Sequence, residues 1–321
     1  MSAGRGAPVV SVIVPAYNVA PYIGAAIDSA LTQTFDDIEI LVVDDGSTDE
    51  TAAIVSAAQQ RDGRVRLIQQ ANGGLSAARN AALPVARGEL FALLDGDDLW
   101  DPWYLYEQLA IFRARPDVSI VTGNAVNLGG SHDGEPARPH PDRRPDPTLA
   151  SMLADEEAVF IMSVFRRTVY ERIGGFDESM RSNEDYDYWL RAAIAGFRFA
   201  RNDKPLGKYR RRADSLSASD VRMLRGILRV LAKTRPHLDA HRAERAILDR
   251  QVARFETELL AAQARAALER SDFAGVATSL DALHARRPGA ALAVARLMAH
   301  WTPSLLLRAY RLRRAGTRLS S

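Results

Sequence analysis

The stretch LLDGDDLW sets three carboxylates, Asp95, Asp97 and Asp98, within four positions directly after an apolar run. Like charges crowded in this way repel, and the repulsion is relieved by raised pKa values or by a bound cation. The chain has no cysteine, so protein ligands to a metal are oxygen or histidine. Oxygen ligands favour a hard divalent ion, Mn or Mg, which typically completes its shell with water and substrate phosphates. A nucleoside diphosphate suits those remaining positions. A D-x-D taken alone also suits a solvated turn in which Asp98 or Asp101 caps the next helix.

Two further stretches carry residue types of the same kind. In DDGSTD, Asp44 and Asp45 are ordinary turn formers, yet an Asp carboxylate also accepts the ring N–H of uracil or thymine. Tyr17, in PAYN, offers a face on which a base could stack. Together they would make a nucleobase pocket. The stretch NGGLSAARNAAL puts Asn72 and the pair Gly73-Gly74 before a helix, with Arg79 and Asn80 one turn in. Such a turn suits phosphate binding or plain helix capping.

The elements that must position these groups are legible from periodicity. Apolar runs of strand length occur at 9–15, 38–43, 65–68, 89–94 and 118–126. The first, second and fourth are nearly continuous Val, Ile, Leu and Phe, as in strands buried on both faces. Between them Ile23, Ile27 and Leu31 repeat at helical spacing after Pro21. Ser47 with Glu50 forms a capping box before TAAIVSAA, and Asp101-Pro102 opens WYLYEQLAIF as N-cap and first helical position. Alternating strand and helix imply a mainly parallel α/β sheet with helices on both faces. In such sheets ligands bind beyond the carboxyl ends of the strands, which gathers PAYN, DDGSTD and DGDD at one edge.

Residues 1–217 carry 23 Lys and Arg against 31 Asp and Glu, a balance of −8, whereas residues 218–321 carry 19 against 9, a balance of +10. The chain therefore divides into an acidic α/β part, 1–217, and a basic, Ala/Leu/Arg-rich helical region, 218–321, with breaks expected at Gly275 or Pro288. Its last stretch, 291–314, is amphipathic and basic, suited to an anionic membrane surface, to the α/β part or to a sister subunit. No signal peptide or membrane span is indicated, and a reducing cytoplasm is permitted. The expected location is cytoplasmic, with peripheral contact at the inner face of the membrane left open. The Pro-, Gly- and charge-rich stretch 129–147 is expected to be a mobile surface loop with His132 and His140 in solvent.

The blocks SVIVPAYN, EILVVDDGSTDET, NGGLSAARNAAL, ARGELFALLDGDD, RIGGFDE, NEDYDYWLRAA and KYRRRADSLS, in this order over about residues 9–217, resemble glycosyltransferase family 2. These are nucleotide-sugar-dependent enzymes with the GT-A fold, a Rossmann-like α/β architecture. The resemblance implies that Pro15 and Tyr17 flank the base and that Asp45 reads its imide edge. It also implies that Asn72 and Arg79 serve the nucleotide, and that Asp97 ligates the metal with Asp95 nearer the ribose or a metal-bound water. Asp98 would support them. Asp185, in the Glu-Asp pair of NEDYDYW, matches the general base that takes the acceptor hydroxyl's proton. One base opposite a nucleotide leaving group means a single displacement and inversion.

The implied enzyme is an inverting, metal-dependent transferase. It would move a sugar from a UDP- or dTDP-sugar to a saccharide or lipid-linked hydroxyl in cell-surface polysaccharide synthesis, without nucleic acid. Its family often carries a histidine where Arg212 stands, and an arginine cannot bind a cation. That departure opens a second reading, a non-catalytic sugar-nucleotide sensor. A phospho-acceptor signalling domain would also place acids after parallel strands, but leaves Tyr17, the glycine pair and Asp185 unexplained. Acids in the first turn of 183–196 also suit the helix macrodipole, and Trp189 suits an acceptor pocket or the core.

Overall fold

A computed structural model describes residues 6–130, 132–138, 145–212 and 219–318. Strands β1 (Val10–Ala16), β2 (Ile38–Asp44), β3 (Val65–Gln69), β4 (Leu90–Leu93), β5 (Leu99–Trp100), β6 (Ile120–Leu128), β7 (Ser163–Arg166) and β8 (Phe199–Arg210) form one sheet. Its order is β3-β2-β1-β4-β7-β6-β8-β5. The half from β3 to β4 is parallel, β7 runs antiparallel between β4 and β6, and β8 returns parallel to β6. Strands β1, β2 and β4 are buried along their whole length. Alternation of side chains across the sheet sends Val10, Val12 and Val14 to one apolar core and Ile13, Leu41 and Val43 to the other. Both faces are therefore covered, as expected of a GT-A-type α/β sheet.

The first core is closed by α1 (Ala20–Leu31), α2 (Thr51–Arg61) and α4 (Tyr104–Ala114), the second by α3 (Leu75–Ala82), α5 (Leu149–Ala154), α6 (Arg167–Ile173) and α7 (Glu184–Ile194). Ile23 and Ile27 are fully buried on the inward stripe of α1. Two helix starts differ from expectation. Helix α2 carries no Ser47–Glu50 box: the Ser47 hydroxyl accepts the Asn18 N–H, and Asp49 holds the Thr51 N–H instead. Helix α4 begins at Tyr104, two residues later than expected: the Asp101 carboxylate does hold the Trp103 N–H, but the Asp101 and Pro102 carbonyls accept from the Gln33 side chain and the Thr34 N–H just past α1.

The helical region comprises α8 (Asp220–Thr234), α9 (Arg242–Glu269), α10 (Phe273–Arg286), α11 (Ala290–Trp301) and α12 (Pro303–Arg318). Ile227, Val230 and Leu231 of α8 and Leu248 and Phe255 of α9 belong to the second sheet core. Only the far end of α9 joins α10, α11 and α12 in a core of their own. The apolar interior is thus continuous across residue 217, although the charge balance changes there. Gly275 lies inside the first turn of α10, its N–H held by Asp272; the break falls at Ser271, whose φ is +58°. Pro288 does separate α10 from α11. Among the described residues no helix is long and apolar enough to cross a membrane.

Residues 134–138 of the Pro/Gly-rich stretch fold back on β6, with the Ala137 N–H bonded to the Ala125 carbonyl and Ala137 buried. His132 is exposed and 2.8 Å from Glu135. His140 lies outside the described residues.

Candidate active site

The register Ala16↔Asp44 and Ile13↔Leu93 brings the ends of β1, β2 and β4 to one edge. Asp45 is buried there, and its own N–H is bonded to the Ala16 carbonyl. Its carboxylate is held by three donors: Gln70 Nε2 at 2.7 Å and the Gly73 N–H at 2.8 Å on Oδ1, and the Gly74 N–H at 2.8 Å on Oδ2. Asn72 Nδ2 donates to the Asp45 carbonyl at 3.0 Å. The glycine pair therefore cradles a carboxylate of the protein itself, and Gly74 needs φ +92° to aim its N–H there. With four acceptor positions on a carboxylate, Oδ2 retains room for one more donor. Beside it Tyr17 is 50% exposed and Pro15 is buried in β1.

The D-x-D turn follows β4. A Cβ on Gly96 would lie 2.9 Å from the Pro15 carbonyl oxygen, so only glycine lets this turn sit against β1. Each of its acids meets an arginine. Asp95 Oδ1 lies 2.8 Å from Arg79 Nη2, and Asp97 Oδ2 lies 3.2 Å from Arg212 Nη1. The buried Asp98 accepts the Arg210 N–H at 2.7 Å, while Arg210 Nε donates to the Asp97 carbonyl. The Arg210 and Arg212 guanidinium groups both lie over the Tyr22 ring. Burial, then the neighbouring Asp95, push the Asp97 carboxyl above its usual range, against the pull of Arg212. Asp98 is pushed well above it, first by burial and then by Asp95 and Asp97.

Arg79 has no exposed surface. One end of its guanidinium meets Asp95 and the other meets Glu184 Oε1 at 2.7 Å, with the Phe176 ring 5.3 Å away. Burial opposes its charge, but Asp95 and Glu184 outweigh this and hold it protonated. The bridge ties the D-x-D turn to the first turn of α7, where Asp185 follows Glu184. Burial first, and Glu184 second, push the Asp185 carboxyl up to about 6 despite Arg79. Asp185 also lines a cleft of about 560 Å³. Phe160, Tyr186 and Tyr209 contribute to that cleft from the α/β part, and Glu258 and Arg265 from α9.

Residues 11–174 match the family model described as "Glycosyl transferase family 2". The chain belongs to that family. Among relatives, it is 36% identical over 219 residues to the uncharacterized glycosyltransferase EpsJ of Bacillus subtilis, spanning 65% of this chain and 63% of EpsJ. It is 32% identical over 191 residues to the chondroitin synthase of Pasteurella multocida, spanning 59% of this chain and 19% of that one. The chain thus covers under two thirds of the length of these relatives. Two solved structures share the fold. S. aureus TarS residues 1–349 in complex with UDP-GlcNAc superposes with a TM-score of 0.63 over 97% of this chain and 92% of that one, at 22% identity. The mannosyltransferase PcManGT from Pyrobaculum calidifontis, in complex with GDP-Man and Mn2+, gives 0.61 over 97% and 85%, also at 22% identity.

The candidate site of this family member brings together Pro15, Tyr17, Asp45, Asn72, Arg79, Asp95, Asp97 and Asp98 at one sheet edge, with Asp185 joined to them through Glu184. Arg79 reaches these acids from inside the protein. Trp189 is core, packed edge-on to Phe165, Tyr188 and Phe199. Sequence reasoning missed Glu184 as a partner of Arg79 and Arg210 as a brace of the acidic turn. The separation of 105 residues hides the first pair. Part of YRRRADSLS, 213–217, lies outside the described residues.

A hard divalent ion suits the donor set of Asp95 and Asp97, whose guanidinium hydrogen bonds among the described residues fall on Asp95 Oδ1 and Asp97 Oδ2. No group of three or more His, Asp or Glu poised for a metal occurs among the described residues. Such an ion typically draws further ligands from water and substrate phosphates.

Proposed function

We propose that the chain is an inverting hexosyl-type transferase. It moves a sugar from a UDP- or dTDP-sugar to a hydroxyl of a saccharide or lipid-linked acceptor, with Mn or Mg bound, in the synthesis of a cell-surface polysaccharide. The observation that carries this reading is the Asp95–Arg79–Glu184 bridge, which couples the acidic turn to the helix end bearing Asp185. The complexes of its structural neighbours with UDP-GlcNAc and with GDP-Man and Mn2+ support it, as does likeness to a named chondroitin synthase.

In this reading the base stacks on Tyr17 against Pro15, and its ring N–H donates to the open position on Asp45 Oδ2. Asn72 and the glycine pair keep that carboxylate in place, and Arg79 fixes Asp95 from behind. Asp95 and Asp97 would hold the cation, whose positive charge would neutralise the diphosphate and favour its departure. The acceptor lies in the cleft, where aromatic rings beside charged groups suit sugar faces and hydroxyls. The acceptor oxygen attacks the anomeric carbon as its proton passes to Asp185. The sugar–phosphate bond breaks with its electrons leaving on the nucleotide, so configuration inverts.

Turnover of a nucleotide sugar to free nucleotide with Mn present tests this. Activity lost in Asp185→Asn with nucleotide binding retained supports it; equal activity in that variant removes Asp185 from the role. The second reading, a sugar-nucleotide sensor, is favoured by the Arg212–Asp97 pair and predicts binding without turnover. The chain's lack of cysteine is compatible with a reducing compartment, and the reading places the reaction in the cytoplasm, which cell fractionation tests.

A further inference from the structure

Helices α11 and α12 leave an apolar surface with no partner among the described residues. Val294, Leu297 and Trp301 recur at spacings of three and four along α11, and Leu305 and Leu312 at seven along α12. All five are more than half exposed, Trp301 at 80%. The opposite sides of these helices are satisfied, since Leu292, Ala295, Leu306, Leu307 and Tyr310 pack into the small C-terminal core. The exposed stripe is thus surplus to folding, and stripes of this kind mark interaction sites.

Charge decides between occupants. After Asp281 the sequence has eight arginines and no acid or lysine. Arg296 and His300 are answered by Asp281, whereas Arg308 and Arg311 are exposed beside Leu305 and Leu312. A second copy of the chain seated on this face would set arginine against arginine, because a two-fold pairing brings the same patch to both sides. A neutral apolar partner would leave the guanidinium groups unanswered. A bilayer rich in anionic lipid answers both features: Trp and Leu enter the headgroup and acyl boundary, and the arginines meet lipid phosphates.

We propose that α11 and α12 form a peripheral membrane-docking surface that binds anionic lipid through Val294, Leu297, Trp301, Leu305 and Leu312 together with Arg308 and Arg311. The inference stands apart from the catalytic reading, since none of these residues lines the candidate active site. Docking there would bring the chain to the surface where a lipid-linked acceptor would be found.

The test uses the full chain and vesicles of phosphatidylcholine with or without phosphatidylglycerol. Each arginine near an anionic surface contributes about a factor of five in partition, so binding should be about tenfold or more stronger to the anionic vesicles, and should weaken as salt rises. Trp301 emission should shift to the blue on binding. Trp301→Ser with Leu305→Ser should abolish binding, and Arg308→Glu with Arg311→Glu should remove the preference for anionic lipid. Circular dichroism should be unchanged in both, since these side chains are exposed. Equal binding to both vesicle types, or unchanged binding in either double variant, overturns the proposal. So does a dimer in sedimentation velocity that Trp301→Ser with Leu305→Ser dissolves, because the face would then join two copies of the chain.

Discussion

Arg212 Nη1 lies 3.2 Å from Asp97 Oδ2, so the acid best suited to a metal ion already carries a cation of the protein's own. A guanidinium and a divalent ion compete for the same carboxylate. Arg212→Ala should therefore tighten Mn binding in the absence of nucleotide, by about tenfold for a partly exposed pair at this distance. A Mn titration followed by electron paramagnetic resonance checks this, and an unchanged affinity would show that the two cations do not compete. In Asp97→Ala, metal-dependent nucleotide binding should disappear. The melting temperature should hold or rise, because a carboxyl pushed above its usual range by burial and by Asp95 opposes folding when ionised at neutral pH.

Arg79 is a buried cation with an acid at each end, and removing one partner from such a group leaves the others uncompensated. Arg79→Met should cost about 3–5 kcal/mol of stability in denaturant unfolding. Arg79→Lys keeps the charge but supplies a single point donor in place of the planar fork, and so should recover only part of the loss. A variant as stable as the wild type would mean that the Asp95–Arg79–Glu184 bridge does not hold the two halves of the site together.

Asp45→Asn replaces a charged acceptor of three hydrogen bonds by an amide with one acceptor oxygen. Its NH2 would then face either the Gly73 or the Gly74 N–H. The conflict should cost about 1–3 kcal/mol of stability. UDP binding should weaken about tenfold or more as the glycine turn moves and the acceptor for the base N–H is lost. Calorimetric titration with UDP separates this from a stability effect when read well below the melting temperature; binding at wild-type strength would remove Asp45 from base recognition.

Periodicity located β1 to β4 and β6; the signal is plainest in β1, β2 and β4, where burial along the whole strand leaves a nearly continuous Val/Ile/Leu/Phe run. Strands β5, β7 and β8 escaped it. β5 is only two residues long, β7 carries SVFR, and β8 contains Asp203, Lys204 and Pro205, its pairing with β6 broken by a register shift near Asn124. The sheet edge of the site was legible because the ligand edge of a parallel sheet follows from topology. The partners of the acids were not. Arg79 and Glu184 meet only after α7 folds over α3, and the amides of Gly73 and Gly74 turn toward Asp45 through a backbone geometry that residue types do not encode. The helix starts at 51 and 104 differ from the capping pattern where tertiary hydrogen bonds intervene: the Ser47 hydroxyl accepts from Asn18, and the Asp101 and Pro102 carbonyls accept from the segment after α1, while the Asp101 carboxylate still holds the Trp103 N–H.

The Asp185 carboxyl, pushed up to about 6 by burial and by Glu184, makes two linked predictions. As a base it must be ionised, so kcat/KM should rise with pH through about 6 and level above it, reporting the free enzyme. For stability the sign is opposite. The folded protein keeps this proton at pH values where the unfolded chain, with an ordinary Asp pKa near 4, has released it. Stability contributed by the group is therefore fully present below about pH 4 and is lost as pH rises through about 6. Asp185→Asn should abolish turnover and its pH dependence together, while raising stability above pH 6 and leaving it unchanged near pH 4. Thermal melts of both proteins across this range, run beside the rate profile, check both halves. A rising limb near pH 6 that survives in the variant would assign the proton transfer to another group, and a variant less stable at pH 8 would mean that the ionised carboxylate is better solvated in the cleft than its surroundings indicate.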